Sequence, residues 1–490
     1  MSATAWEAIM ADAIWTAYEA AAATGGTLGA RGPASDWHAD RLPEEDWQAS
    51  GLSIDTRTIR PGEVFVAVQG ARDGHDFLSQ AFERGAAAAL VSRAPAELPE
   101  GKPLLFVQDT MGGLRALAEA ARDRNFGRLI GVTGSAGKTS VKEMLRAALT
   151  PCGEVHAAEA SFNNHLGVPL TLAALPSSAD YGVFEMGMSA AGEIDELARL
   201  VRPHVAIITT VAAAHLEFFE SVEAIAEAKA EIVRGLRRGG VAVLPADNAH
   251  YERLRARAVE HGVARIVSFG EAEEADVRLT GYAHANGAAQ VSATVHGRAV
   301  RFALAAPGRH QAVNALSVLA AAVAAGADLD AAISGLQTFR PGGGRGARHA
   351  VRLGARRVTL IDEAYNANPA SMRAALAVLA DETPCGEGRR VAVLGEMREL
   401  GSDGRALHAG LASDVTNAQT ARVHTAGASM TALRDALPPA LLGAHAEAAA
   451  DLESALLADL RDGDVVLFKG SNGSKVGALL SALLQQADRS

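Results

Sequence analysis

Gly131-Val132-Thr133-Gly134-Ser135-Ala136-Gly137-Lys138-Thr139-Ser140 is the stretch whose reading decides the fold. An apolar run over 129–132 leads into it, and a helical pattern over 141–149 leaves it. That strand, loop, helix order opens a nucleotide-binding α/β domain. Glycines let backbone N–H groups close on phosphate oxygens, Lys138 brings a point charge to the β/γ-phosphates, and the Thr139 hydroxyl suits Mg²⁺. Val132 stands where the first glycine of G-x-x-x-x-G-K-[ST] would be, so the working unit is the shorter G-x-x-G-K-[ST] that begins at Gly134. Gly134, Ser135, Ala136, Gly137, Lys138, Thr139 and Ser140 are the candidate nucleotide contacts.

Downstream, apolar runs at 181–184, 205–208 and 241–244 alternate with helical segments, as parallel strands buried on both faces would. They predict a doubly wound central domain. A helix over 311–325 precedes the Pro/Gly break at 339–344, after which runs at 358–361, 391–394 and 465–468 predict a third, Rossmann-like α/β domain. Upstream, a helix over 6–23 stops at Thr24-Gly25-Gly26, residues 29–50 show no periodicity and read as a loop, and a small α/β domain ends near Asn125. The expected domains are 1–125, 126–338 and 339–490, in a chain whose 490 residues have room for three cores.

Composition excludes several classes. Lys plus Arg number 46 against 57 Asp plus Glu, a net charge of -11, which disfavours a dedicated binder of nucleic acid or anionic membrane. The two cysteines, Cys152 and Cys385, are too few for a disulfide framework and suit a reducing compartment. The most apolar stretch, 312–327, is shorter than the roughly 20 residues of a bilayer span, and the first residues do not resemble a secretory signal. The expectation is a cytoplasmic protein, monomeric by default.

Four more positions bear on chemistry. Glu185 follows the run 181–184 and so falls at the carboxyl end of a central strand, the edge where α/β sheets bind ligands. His215 lies just beyond the run 205–208; either residue alone reads equally well as ordinary polarity. Lys229, in Glu227-Ala228-Lys229-Ala230-Glu231, reads on pattern alone as part of a solvated helix face. Asp362 ends a strand and opens Glu363-Ala364-Tyr365-Asn366-Ala367-Asn368-Pro369, a turn-rich polar loop before a helix from 372, where Asx turns alone could explain the asparagines.

Taken together, nine strings in order resemble the Mur ligases of peptidoglycan synthesis, over nearly the whole chain. They are Asp55-Thr56-Arg57 with 64–67 and 73–77; the 134–144 loop and helix start; 161–169, with Asn163-Asn164; Glu185-Met186-Gly187; 213–217; Pro307-Gly308-Arg309-His310 with Asn314-Ala315-Leu316; 362–372; Val393-Leu394-Gly395-Glu396-Met397; and Lys469-Gly470-Ser471. The absence of Asp-Asn-Pro-Arg, with Tyr365-Asn366-Ala367-Asn368-Pro369 in the adjoining region, makes the chain most similar to the branch that adds D-alanyl-D-alanine to UDP-N-acetylmuramoyl-tripeptide.

The resemblance implies an ATP- and Mg²⁺-dependent ligase whose first domain takes the UDP end of the acceptor, whose second binds ATP, and whose third closes over the nucleotide. It implies Lys138, His215 and Lys229 as catalytic, with Lys229 matching a lysine carbamylated in several members. Thr139, Glu185, His215 and Lys229 would hold the metal. Asn314 would meet the base, and Arg345 and Asp362 the phosphate and ribose. Thr56 and Arg57 would lie near the uridine, and Asn163, Asn164 and Ser189 near the muramoyl peptide. Thr210 stands where this branch often has asparagine, and Gly342-Gly343-Gly344-Arg345 blurs the arginine motif. The competing readings are another ligase of the superfamily, such as a folylpolyglutamate synthase, a plain P-loop phosphotransferase, and a degenerate scaffold without activity.

Overall fold

The glycine loop lies where its sequence places it. In the computed structural model, which describes residues 13–31, 37–38, 47–93, 101–214, 216–285 and 288–487, the strand Arg128–Thr133 runs into the loop and the helix Lys138–Leu149 leaves it. The chain divides into two compact units, Met1–Gly131 with Gly153–Met186 and Glu196–Pro203, and Val132–Cys152 with Gly187–Asp195 and His204–Ser490.

The first unit holds a six-stranded sheet in the order Trp37–His38, Thr27–Arg31, Pro103–Phe106, Ala88–Val91, Glu63–Val66, Gly51–Ser53. The last four pair in parallel, and Phe65, Leu78, Phe82 and Leu104 form the core of one face. This unit also carries the parallel pair Val155–Ala157 and Tyr181–Glu185. The helix expected over 6–23 is shorter. Residues 1–12 lie outside the described residues, Trp15–Thr16 pairs with Gln48–Ala49, and the helix is Ala17–Thr24. Its start is set by Thr16, whose hydroxyl accepts the Glu19 N–H while the Glu19 carboxylate accepts the Thr16 N–H, a reciprocal cap that ends helical periodicity at that point. Gly25, at φ +64°, terminates it as expected. Part of the loop expected over 29–50 is also strand, at Thr27–Arg31, Trp37–His38 and Gln48–Ala49, because backbone pairing needs no apolar run to hold strands this short.

In the second unit the parallel strands Val205–Ile208, Val241–Pro245 and Arg265–Gly270 follow one another in the sheet, joined next by Val277–Ala285. Two further strands, Ala288–Val295 and Arg298–Leu304, pair antiparallel and extend the sheet. This extension is absent from a reading that looks for wholly apolar runs. These strands alternate buried and exposed residues, the pattern of a sheet with one face toward water. The C-terminal part forms a six-stranded sheet ordered Ala347–Leu353, Arg356–Glu363, Val465–Lys469, Arg390–Gly395, Arg422–Ala426, Leu442–Ala446, parallel but for its first strand. Successive residues of a strand face opposite ways, so Ala392 and Leu394 join the core beneath Met372 and Leu376 while Val391 and Val393 join Phe468 and Leu479 on the other side. Helices therefore cover both faces, and the carboxyl ends of the strands are left for chemistry. Among the described residues no helix is long and apolar enough to cross a membrane.

Candidate active site

The glycine loop is held open by its own backbone and by the segment that follows Val205–Ile208. Gly134 sits at φ +152° and Gly137, which precedes the helix Lys138–Leu149, at φ +83°. A β-carbon on Gly134 would land on Thr209 Oγ1, and that hydroxyl donates to Ala136 O (2.5 Å). The Ser135 N–H donates to Thr210 O (2.9 Å), and the Ser135 hydroxyl both donates to Ala212 O and accepts the Ala212 N–H (3.0 Å each). Lys138 folds back so that Nζ donates to Gly134 O (2.7 Å). Ser135, Thr139 and Ser140 are buried. The result is the N-terminus of a twelve-residue helix, with its positive end behind a glycine arch, an arrangement that suits an anion.

Two asparagines reach the arch within the same unit. Asn314, buried on the helix Arg309–Ala324, stands so close that a β-carbon on Gly137 would lie 3.0 Å from its Oδ1. Asn368 caps the helix Pro369–Asp381 through Oδ1, while its Nδ2 donates to Ser135 O (3.1 Å). The turn after the strand Arg356–Glu363 is thus bonded to the loop. Asp362 accepts the N–H groups of Gly344 (2.6 Å) and Ala364 (3.2 Å), which ties it to the 342–346 loop, where the Arg345 guanidinium stacks 3.8 Å above the Tyr365 ring.

Lys229 corrects the reading from pattern. It is only 2% exposed, on the helix Val222–Ala230. The solvated face of that helix belongs to Glu227, which pairs with Arg253 (2.8 Å) and Arg257 (2.6 Å); two residues on, about 200° around the axis, Lys229 points inward. Burial, with the Lys138 charge adding to it, drives the Lys229 ammonium well below the usual lysine range.

In the first unit, Glu185 is buried at the end of its strand and accepts a hydrogen bond from Asn163 Nδ2 (2.8 Å). Asn164 starts the helix Gly167–Ala173 by accepting the N–H groups of Leu166 (3.1 Å) and Gly167 (2.9 Å). Thr56 is buried, its hydroxyl donating to Gln80 Oε1 (2.6 Å). Arg57 is exposed and forks onto Asp55, holding that carboxyl down at about 2. In the second unit, the Ser189 N–H donates to Glu193 (2.6 Å). His215 lies outside the described residues.

The structure adds residues to which the sequence reading gave no individual role. Thr209 braces the arch, and Asn248 Nδ2 donates to Thr210 Oγ1 (3.2 Å) and Val211 O (2.8 Å), so an amide supports the position where the dipeptide-adding branch often carries one itself. Lys469 is buried and donates to Glu363 O (3.3 Å) and Asn366 O (3.1 Å), with Glu363 Oε2 at 3.7 Å. Burial lowers the Lys469 ammonium and raises the Glu363 carboxyl, while each charge steadies the other. His310 is pushed down to about 4 by burial and by the Lys469 charge, so it is a neutral ring at pH 7. A glycine loop advertises itself by composition; these residues are identified only by partners at least 37 positions away in the chain.

Comparison with known proteins agrees with this geometry. Three family profiles match in succession: the Mur ligase family catalytic domain over residues 48–124, the Mur ligase middle domain over 132–322 and the Mur ligase glutamate ligase domain over 347–472. The UDP-N-acetylmuramoyl-tripeptide--D-alanyl-D-alanine ligase of Bacillus subtilis (strain 168) is 34% identical over 441 residues, 89% of this chain and 93% of its own length. The ligase of the same name from Escherichia coli (strain K12) is 37% identical over 396 residues, 81% of this chain and 85% of its own. A crystal structure of MurF from Acinetobacter baumannii superposes with a TM-score of 0.81 at 29% identity, covering 96% of this chain and 99% of that one. MurF ligase from Thermotoga maritima in complex with ADP gives 0.74 at 26% identity, covering 90% and 98%.

Proposed function

Because the chain belongs to the Mur ligase family, we propose that it joins D-alanyl-D-alanine to the terminal carboxylate of UDP-N-acetylmuramoyl-tripeptide at the expense of ATP, forming the pentapeptide used in peptidoglycan synthesis. The observation that carries the reading is the Asn368 to Ser135 hydrogen bond. A plain phosphotransferase has no use for a third-domain turn bonded to its phosphate loop, whereas a ligase must bring an amine to the group just phosphorylated.

The chemistry follows from what a carboxylate lacks. It is a poor electrophile, so one of its oxygens first attacks the γ-phosphorus and ADP departs, leaving an acyl phosphate. The dipeptide amine then attacks the acyl carbon, and the tetrahedral intermediate collapses with release of inorganic phosphate. The protein contributes position and charge. The loop amides of 134–140 and Lys138 hold the phosphates, Asn314 the base, and Arg345 and Asp362 the phosphate and ribose on the third-domain side. Thr56 and Arg57 serve the uridine, and Asn163, Asn164 and Ser189 the muramoyl peptide. Domains 1–125, 126–338 and 339–490 divide these tasks as acceptor-binding, ATP-binding and amine-admitting parts.

By family likeness, Thr139, Glu185, His215 and Lys229 are the proposed Mg²⁺ ligands; hydroxyl and carboxylate oxygens suit that ion, which neutralises phosphate charge when bound. Lys229 fits as a carbamate. An amine kept neutral by burial adds to CO₂ and loses a proton, which would turn the buried amine into a carboxylate-like anion beside Lys138. We place the enzyme in the cytoplasm, where ATP is supplied, as a monomer.

The test is a product assay. Chain, ATP, Mg²⁺ and UDP-N-acetylmuramoyl-tripeptide are incubated with D-alanyl-D-alanine and, separately, ATP is offered with tetrahydrofolate and glutamate. Mass spectrometry should show the pentapeptide from the first mixture and no ligated product from the second. A folate product without pentapeptide would overturn the assignment.

A further inference from the structure

The strand Tyr181–Glu185 is followed by Gly187-Met188-Ser189-Ala190-Ala191-Gly192 and then by a helix that starts at Glu193. Residues 189–193 are exposed in succession, between the buried Met188 and Ile194. Serine, alanine and glycine offer no large side chain to pack, and Gly192 sits at φ +91° with open space where a β-carbon would be. Such a turn is ordered by hydrogen bonds to its backbone.

Those bonds converge on Glu231. Both of its carboxylate oxygens accept the Gly192 N–H (Oε1 at 2.8 Å, Oε2 at 3.0 Å), and Oε2 also accepts the Asp195 N–H (3.2 Å). The residue is only 6% exposed, and a buried carboxylate is tolerated where N–H groups meet it. Within the turn the Glu193 carboxylate accepts the Ser189 N–H (2.6 Å), so Ser189 hangs from the backbone that Glu231 holds. Glu231 itself opens the short helical turn Glu231–Gly235, directly after the helix Val222–Ala230. Lys229, two residues earlier, feels the charge of Lys138 on the glycine loop. One stretch of backbone thus faces the phosphate side through Lys229 and the Ser189 turn through Glu231, and it fixes the spacing between them.

We propose that Glu231 is a positioning residue for phosphoryl transfer: through Gly192, Asp195 and Glu193 it holds Ser189, and with it the acceptor, at a set distance from the glycine loop. The inference rests on the function proposed above and on the place given there to Ser189 beside the muramoyl peptide. In-line attack of a carboxylate on the γ-phosphorus tolerates little error, and a displacement of about 1 Å can cost on the order of 100-fold in rate. Glu231, bonded to backbone N–H groups, acts through the turn rather than on a substrate.

The experiment measures steady-state ligation by the wild-type chain, Glu231→Gln, Glu231→Met, Ser189→Ala and the double variant of Glu231→Met with Ser189→Ala. Glu231→Met should lower kcat/KM for UDP-N-acetylmuramoyl-tripeptide at least ~10-fold. Its Kd for ATP, read by titration calorimetry, should stay within about twofold of wild type, which also shows that the variant is folded. Glu231→Gln keeps one acceptor oxygen and should recover part of the loss. In the Ser189→Ala background Glu231→Met should cost less than about threefold, because the contact it positions is already gone. If Glu231→Met does not fold, the same cycle built with Glu231→Gln decides. Losses that multiply across the cycle, an unchanged kcat/KM, or a matching loss of ATP affinity would overturn the inference and leave the ligase assignment standing. If the wild-type chain makes no pentapeptide, it is the ligase assignment that fails.

Discussion

Replacing Gly134 by alanine tests whether the arch is set by its contact with Thr209. Two costs are visible. Gly134 sits at φ +152°, where a side chain is strained by about 1–2 kcal/mol, and the new β-carbon lands on Thr209 Oγ1 with Thr209 Cβ only 3.1 Å away. The hydroxyl must rotate off, which breaks its bond to Ala136 O and strands a side chain that is 4% exposed, about 1–2 kcal/mol more. Gly134→Ala should therefore cost about 3 kcal/mol. With an unfolding entropy of roughly 2.1 cal/mol/K per residue over 490 residues, each kcal/mol moves the midpoint about 1 °C, so calorimetry should read a fall of about 3 °C. The decisive comparison is a four-protein cycle with Thr209→Ala. In that background the obstructing oxygen and its bond are already gone, the φ strain and the 3.1 Å approach to the remaining Cβ are what is left, and the fall should shrink to about 2 °C. ATP affinity, measured by titration calorimetry, should drop with Gly134→Ala and recover in part in the double variant. Equal falls in both backgrounds would refute the claim that Thr209 sets the arch.

Lys138→Ala removes the charge held at the mouth of the loop, so turnover should drop at least ~100-fold in a phosphate-release assay; near-normal release would end its assignment. Lys229→Ala should be inactive and partly restored by small carboxylates such as formate, since the expected carbamate is replaced by an added anion; no restoration would leave Lys229 as a packing residue. For pH, His310 has a folded-state value near 4 against an ordinary value of 6.5, so folding favours the neutral ring. Its share of stability is complete above about pH 6.5 and is lost progressively as pH falls toward about 4. His310→Gln should flatten that limb of a denaturation profile; superimposable limbs for the two proteins would contradict the burial argument.

The glycine loop was legible because its glycines are demanded by backbone conformation, and a backbone demand is written in the residue itself. Glu185 was legible for a related reason: a buried strand ends where its apolar run ends. Lys229 was misplaced by pattern because the residues around it do not show which side of the helix is covered; that depends on Arg253 and Arg257, supplied by the next helix. Asn368 reads locally as an Asx-turn residue and proves to cap the helix Pro369–Asp381, yet its second bond goes to Ser135, 233 positions away, and no local spacing announces it. The antiparallel strands over 288–304 escaped for lack of apolar runs, their half-buried alternation being a weaker signal than the parallel core. Sequence thus specifies what a residue must do with its own backbone and neighbours, and leaves distant partners to the fold.

The claim at the centre is that a carboxylate is phosphorylated before an amide bond forms. It is tested by labelling the terminal carboxylate of UDP-N-acetylmuramoyl-tripeptide with ¹⁸O and weighing the inorganic phosphate released during ligation to D-alanyl-D-alanine. The account predicts one ¹⁸O in each phosphate for each pentapeptide made, because the oxygen that attacks the γ-phosphorus leaves with it. Unlabelled phosphate released alongside pentapeptide would contradict it.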